Sequence, residues 1–272
     1  MPGLLDSARG SSASARLRMA ATVPRLATRR EPAARALRRA LATTALGRLS
    51  APERGWRERI EATRAELTSD DASTSPSFDP GSEGAEGAFT MERRRTTVAV
   101  AVTLMSLTPI WCTLLLRLVR ELEPRSCLEL GTGFGMSAAY QGAGLELNGT
   151  GSLTTLEGAT EWGDRAARSL AELGLSSVAL TSGAIAETLP PTAKRLAPLD
   201  YVYIDAEHQA PATLAAFEAL EPHLRDGALV VLDDVDWPDM ADAHRQIGRG
   251  ERVADSLAVG RFGFTLVGGA PD

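Results

Sequence analysis

Lysine is almost missing: Lys194 stands alone among 29 basic residues. A phosphate-binding loop of the G-x-x-x-x-G-K-[ST] type needs a lysine directly after its second glycine, so that chemistry is excluded. Cysteine is nearly as scarce. Cys112 and Cys127 both sit in apolar segments and make neither a disulfide framework nor a zinc set, so buried, reduced thiols are expected. No apolar run reaches the ~18 residues of a membrane span, the longest being broken by Pro109 and Arg117. No aromatic side chain stands in residues 1–50, although ten arginines face only Asp6 and Glu31 there. A basic arm suits nucleic acid, an acidic membrane surface or a transit peptide. Without interleaved aromatics or a recognisable motif, and with arginine replacing lysine throughout, it reads instead as the coding bias of a GC-rich bacterium. The expectation is a soluble, cytoplasmic protein with no nucleic-acid partner.

The net charge is −6, and the arm's excess of arginine leaves the remainder at −14. A length of 272 residues with 44% hydrophobic content accommodates one large domain with an N-terminal extension. The extension covers residues 1–68, a linker or substrate-side loop 69–108, and the main domain 109–272. Residues 1–30 show no sustained apolar period and read as a flexible or weakly helical arm. Ala34, Leu37, Leu41, Ala45 and Leu49 recur at helical spacing. Ser50 and Glu53 then form an S-x-x-E capping box, with Pro52 in the first turn and Trp56, Ile60 and Leu67 along one stripe. These helices could pack on the main domain, lid its site or build a homodimer interface. The stretch SDDASTSPSFDPGSEGAEGAFT is polar and broken by proline and glycine, as in a linker or loop.

The run SCLELGTGFGMSAAY, residues 126–140, organises the C-terminal half of the chain. Cys127, Leu128 and Leu130 read as a buried parallel strand, and a helix starts at Met136. Gly131, Gly133 and Gly135 remove side chains that would keep a ligand from the backbone, while the helix offers its free N–H groups and positive dipole end. A dinucleotide fingerprint wants its third glycine where Met136 stands, which argues against a pyrophosphate. Strand candidates at 126–130, 152–156, 177–181, 200–204 and 228–232 alternate with helices near 136–147, 160–173, 184–196 and 210–224. Alternation of that kind makes an α/β fold with a mostly parallel sheet covered by helices on both faces. The tail SLAVGRFGFTLVGG adds two β runs about Gly260 and Arg261, an antiparallel hairpin.

The pattern E-x-G-x-G-x-G at Glu129, Gly131, Gly133 and Gly135, with its strand before and helix after, resembles the first motif of the class I S-adenosylmethionine-dependent methyltransferases. From about Pro109 to Val267 the chain resembles their Rossmann-like fold, a seven-stranded sheet finished by an antiparallel hairpin. The resemblance implies S-adenosylmethionine as cofactor, held by Glu129, Gly131, Thr132, Gly133 and Ser137 around the turn. It extends the cofactor set to Glu157 and Gly158 after the second strand, Ala184 after the third, and Asp205 after the fourth. Glu157 would accept the ribose hydroxyls, or else serve as an exposed helix cap. The strand end Ser182, Gly183 and Ala184 carries no acidic residue, which leaves adenine recognition to the backbone or to other side chains.

Asp205, Asp233 and Asp234 end the fourth and fifth strands and are hard oxygen donors suited to an octahedral divalent cation, magnesium by preference. Their order resembles catechol O-methyltransferase and its bacterial relatives, with Asp234 replacing an asparagine. Asp205 could instead serve the cofactor, and Asp233 and Asp234 could cap the next helix. His208, in D-A-E-H, would be the general base, titrating near the ordinary ~6.5 of histidine; the alternative is a surface histidine starting a helix. His223 and His244 have no such setting. Trp237 would wall an aromatic substrate or pack on the sheet. The implied activity is O-methylation of a small-molecule hydroxyl. The alternatives are a metal-independent N- or C-methyltransferase, a silent cofactor-binding module, and a nicotinamide dehydrogenase.

Overall fold

The computed structural model describes residues 11–80 and 91–268, so the first ten residues of the arm and residues 81–90 of the expected loop lie outside it. From Ser11 onward the arm is more regular than its sequence suggests. Helix α1 (Ser12–Thr22) is capped by Ser11, whose hydroxyl accepts from the Ser14 N–H at 3.2 Å. It buries Ala15, Met19 and Thr22, and a 3-10 turn at Val23–Leu26 buries Leu26. Helix α2 (Pro32–Leu46) lays Ala33, Leu37, Ala40 and Leu41 into the core. Helix α3 (Ala51–Thr68) begins at the expected capping box: Ser50 N–H donates to Glu53 at 2.7 Å, and the Ser50 hydroxyl accepts from Glu53 N–H at 3.4 Å.

The described residues of the expected loop, 69–80 and 91–108, are not irregular throughout. Strands β1 (Thr74–Pro80) and β2 (Met91–Thr97) form an antiparallel ribbon, and helix α4 (Val98–Met105) follows. The Trp162 indole donates to Ser75 Oγ and Pro76 O, each at 3.0 Å, while Val98, Ala101 and Val102 pack with Phe134 and Trp162. Helix α5 (Pro109–Leu122) is buried almost throughout. Even Arg117 is enclosed, donating to Arg48 O and lying 3.5 Å from Glu53. Arg64 pairs with Glu61 at 3.0 Å on α3, and Glu61 accepts from the Tyr140 hydroxyl at 2.8 Å. The N-terminal helices thus pack on the main domain. Among the described residues no single helix is long and apolar enough to cross a membrane.

The main domain runs β3 (Ser126–Leu130), α6 (Met136–Asn148), β4 (Ser152–Glu157), α7 (Thr160–Glu172), β5 (Val178–Ser182), α8 (Ile185–Leu196), β6 (Leu199–Ile204), α9 (Ala210–Leu220), β7 (Leu224–Leu232), α10 (Pro238–Ile247), β8 (Val253–Val259) and β9 (Phe262–Val267). The sheet order is β5-β4-β3-β6-β7-β9-β8, parallel through β7 and antiparallel at β9 and β8. Strand alternation divides the core: Tyr201 and Tyr203 pack with α2, α5 and α6, while Leu199, Val202 and Ile204 pack with α8 and α9. Helix α9 stops four residues short of the expected end, because Pro222 interrupts it in a 3-10 turn at Glu221–His223 and β7 starts at once. Cys112 and Cys127 are buried free thiols, and burial pushes Cys112 up to about 12.

Register levels the carboxyl ends of the strands. Leu130 pairs with both Leu156 and Ile204, and Ile204 pairs with Leu232. The next residues, Gly131, Glu157, Asp205 and Asp233, therefore line one edge. The chain order reverses between β3 and β6, which is where an open α/β sheet leaves a ligand crevice.

Candidate active site

The three glycines after β3 do three different jobs. At Gly131 (φ +90°) a Cβ would stand 2.0 Å from the Asp205 carbonyl oxygen, so this glycine lets β3 and β6 close on each other. At Gly135 (φ +83°), which precedes α6, a Cβ would lie 3.1 Å from Ala166 Cβ. Only at Gly133 (φ +53°) would a Cβ meet nothing within 4 Å. The expectation that all three clear space for a ligand thus narrows to one; the other two shape the turn.

Carboxylates hold that turn from below. Glu157 is 5% exposed, accepting from Gly133 N–H at Oε2 and Ala159 N–H at Oε1, both at 2.7 Å. Burial raises its carboxyl while these N–H groups pull it back, leaving a net rise. Glu129 is fully enclosed and accepts from Thr155 Oγ1 at 2.5 Å and Gln141 Nε2 at 2.7 Å; burial, opposed by these bonds and Ser137, lifts it to about 7. Thr132 and Thr155 share a hydroxyl bond of 2.6 Å. Glu129, Thr132 and Ser137 are buried and brace the loop, whereas Gly158 and Ala184 are exposed at the same edge.

Beyond the loop, Asp205, His208 and Asp234 bring ligand atoms within 4.8 Å of one another. His208 Nδ1 lies 3.1 Å from Asp234 Oδ2 and 3.9 Å from Asp205 Oδ1, and its ring stands 5.9 Å from that of Trp237. Glu207, His208 and Asp234 all adopt positive φ (+59°, +45° and +54°), so the segments after β6 and β7 are bent against ordinary preference around this point. Burial alone would lower His208. The Asp234 hydrogen bond and the charges of Asp205, Asp234 and Asp233 outweigh it and lift the imidazole to about 9, well above the expected ordinary value. Burial, then Asp233, push Asp205 well up. Asp234 goes the other way, since Arg261 and His208 prevail over burial there.

Asp233 does not join that trio. Its Oδ1 accepts from Arg261 Nε at 2.5 Å and from Asp234 N–H at 2.7 Å; its Oδ2 accepts from Arg261 Nη2 and the Tyr203 hydroxyl, each at 2.8 Å. Arg261 Nη2 also donates to Asp234 Oδ1 at 2.6 Å. Of the three aspartates expected to share a metal, Asp205 and Asp234 thus stay within reach of each other, while Arg261 bridges Asp233 to Asp234. Arg261 and Tyr203 were not foreseeable as site residues from any motif; the one signal was a basic residue in the turn between two β runs. His244 is buried against Ser256 Oγ at 3.0 Å.

A methyltransferase-domain family matches residues 128–235. No curated protein matches the chain. Among solved structures, the O-methyltransferase TomG of Streptomyces achromogenes, involved in tomaymycin synthesis and determined in complex with S-adenosylmethionine, is 30% identical over 61% of this chain and 83% of its own, with a TM-score of 0.51. An O-methyltransferase from Bacillus cereus in complex with S-adenosylhomocysteine is 21% identical over 60% and 83%, with a TM-score of 0.52. A methyltransferase from Podospora anserina bound to S-adenosylhomocysteine is 14% identical, but the alignment spans 82% and 89% with a TM-score of 0.56. The last two likenesses speak to the fold alone. Strand order, glycine turn and likeness to the Streptomyces enzyme together make this chain a member of the class I S-adenosylmethionine-dependent methyltransferases, resembling their small-molecule O-methyltransferases.

Proposed function

We propose that the chain methylates a hydroxyl of a small molecule, with His208 as general base. The observation that carries this reading is the contact of the Asp205 carbonyl with Gly131, which sets the His208 segment directly beside the cofactor turn. The turn suits S-adenosylmethionine: Gly133 and Gly158 border open space, and Glu157 keeps a buried carboxylate at the carboxyl edge. Gly133, Glu157 and Gly158 would hold it, over a floor made by Glu129, Thr132 and Ser137. When bound, the cofactor supplies an electrophilic methyl group on a sulfonium.

His208 takes the hydroxyl proton as the substrate oxygen bonds to the methyl carbon and the carbon–sulfur bond breaks, giving a methyl ether and S-adenosylhomocysteine. Asp234 receives Nδ1 and thereby leaves Nε2 to meet the substrate. The trio Asp205, His208 and Asp234 is the remaining metal-compatible set, but it is poor for magnesium. One of its donors is a nitrogen, Asp234 is already paired with Arg261, and Asp233 has no oxygen free. No step is therefore routed through a metal.

The experiment is calorimetric binding of S-adenosylmethionine followed by turnover on a panel of phenols, catechols and aliphatic alcohols. His208→Ala should lose about 10²- to 10⁴-fold in kcat/KM while keeping cofactor affinity. Turnover on amines alone, with His208→Ala fully active, would overturn the proposal.

A further inference from the structure

We propose that Arg261 is a resident cation standing in the place of a divalent metal, so that this crevice neither binds nor needs one, and that it positions His208 through Asp234. The inference rests on the reading of the crevice as the methyl-transfer site. A carboxylate offers about four acceptor positions. In Asp233 all four are taken, two by Arg261, one by the Tyr203 hydroxyl and one by the Asp234 N–H. Asp234 divides its oxygens between Arg261 and His208. A metal bridging Asp233 and Asp234 would have to expel the guanidinium, and the Asp234 oxygen that Arg261 leaves open faces His208.

The guanidinium is not easily expelled. Its side chain is 18% exposed, and its own carbonyl accepts from Val235 N–H at 2.9 Å, which pins the β8–β9 turn to the segment after β7. Gly260 (φ +62°) makes that turn and packs against the Trp111 ring, where a Cβ would come within 2.7 Å. The planar fork matches two carboxylates at once and cannot release its proton, so its positive charge is permanent. Arg261 does not touch the reacting atoms. It acts by fixing which oxygen of Asp234 faces the imidazole.

Mn²⁺ serves as the probe, followed by the amplitude of its free-ion signal in electron paramagnetic resonance. The chelator-stripped wild-type chain should leave that signal unchanged. Arg261→Gln keeps the stem without the charge, and the vacated carboxylates should then take up Mn²⁺ with loss of the free-ion signal in proportion to chain. Mn²⁺ uptake by the wild type that disappears in Asp234→Asn would overturn the inference. So would a folded Arg261→Gln, shown by retained S-adenosylmethionine binding, that leaves the signal untouched. If Arg261→Gln does not fold, the wild-type measurement decides by itself. Failure of the methyltransfer reading would show separately, as absent turnover on hydroxyls, whatever the Mn²⁺ result.

Discussion

The His208 imidazole is the group whose titration separates a tuned site from an incidental one. Lifted to about 9 by Asp234 and its neighbours, it is charged at neutral pH in the substrate-free chain. A base with that pKa is ~1% neutral at pH 7 and ~50% neutral at pH 9, so kcat/KM should rise ~50-fold across that interval. An ordinary histidine near ~6.5 would change by less than ~1.5-fold over the same range. Asp234→Asn removes the largest raising influence, and the imidazole should move back toward its ordinary value. The direct assay is proton NMR of the ring hydrogens. The chain has only His208, His223 and His244, so His208→Ala identifies the resonance. Linkage gives an independent check. The folded-state value is raised, so its contribution to stability is complete below ~6.5 and is lost as pH rises through about 9. Titration of the assigned resonance near 6.5, with no change in Asp234→Asn, would refute the reasoning.

Gly133→Ala and Gly133→Val both place a Cβ at φ +53° where no protein atom lies within 4 Å, so both carry backbone strain. Val, whose branches also enter the ligand's space, should abolish S-adenosylmethionine binding in calorimetry where Ala only weakens it, with circular dichroism checking that each stays folded. Glu157→Ala should weaken cofactor binding by about 1.5 to 3 kcal/mol; since Glu157 also ties Gly133 to Ala159, faster amide exchange in the loop should accompany the loss. Glu129, lifted to about 7, favours folding most below its unfolded value and loses that contribution as pH climbs to 7. Urea denaturation should show this as a fall of at most ~3 kcal/mol from pH 4.5 to 8, flattened in Glu129→Gln.

The sheet was legible because its strands are short apolar runs closed by glycine or acid, the pattern of strands buried on both faces. The capping box at Ser50 was legible too, since both partners lie within one turn of chain. Helix α1 was not, because the residues it buries, Ala15, Met19 and Thr22, are small or isolated and carry no hydrophobic stripe. The ribbon of β1 and β2 was hidden for a related reason. Its residues are mostly polar, and what anchors it is Trp162, far along the chain. In the site, local order placed Glu157, Asp205 and His208 at strand ends, and there they stand. The partition of the three glycines was hidden, because what a Cβ would strike belongs to other elements. Arg261 lies 28 residues beyond Asp233, and no spacing rule links a hairpin turn to a strand end that far away.

The hairpin that supplies Arg261 comes after all three aspartates in sequence, and the N-terminal arm, which precedes them by far, meets it: Arg29 pairs with Asp255 at 2.9 Å, and Arg18 approaches the Gly260 turn. In a chain folded only through β7, Asp205, Asp233 and Asp234 would crowd together with no guanidinium between them, and their repulsion would hold that edge apart. The crevice is therefore complete only with β9 in place between β7 and β8, where distant parts of the chain meet. The hairpin that completes the sheet thus also completes the site, by bringing Arg261 to the ends of the strands before it.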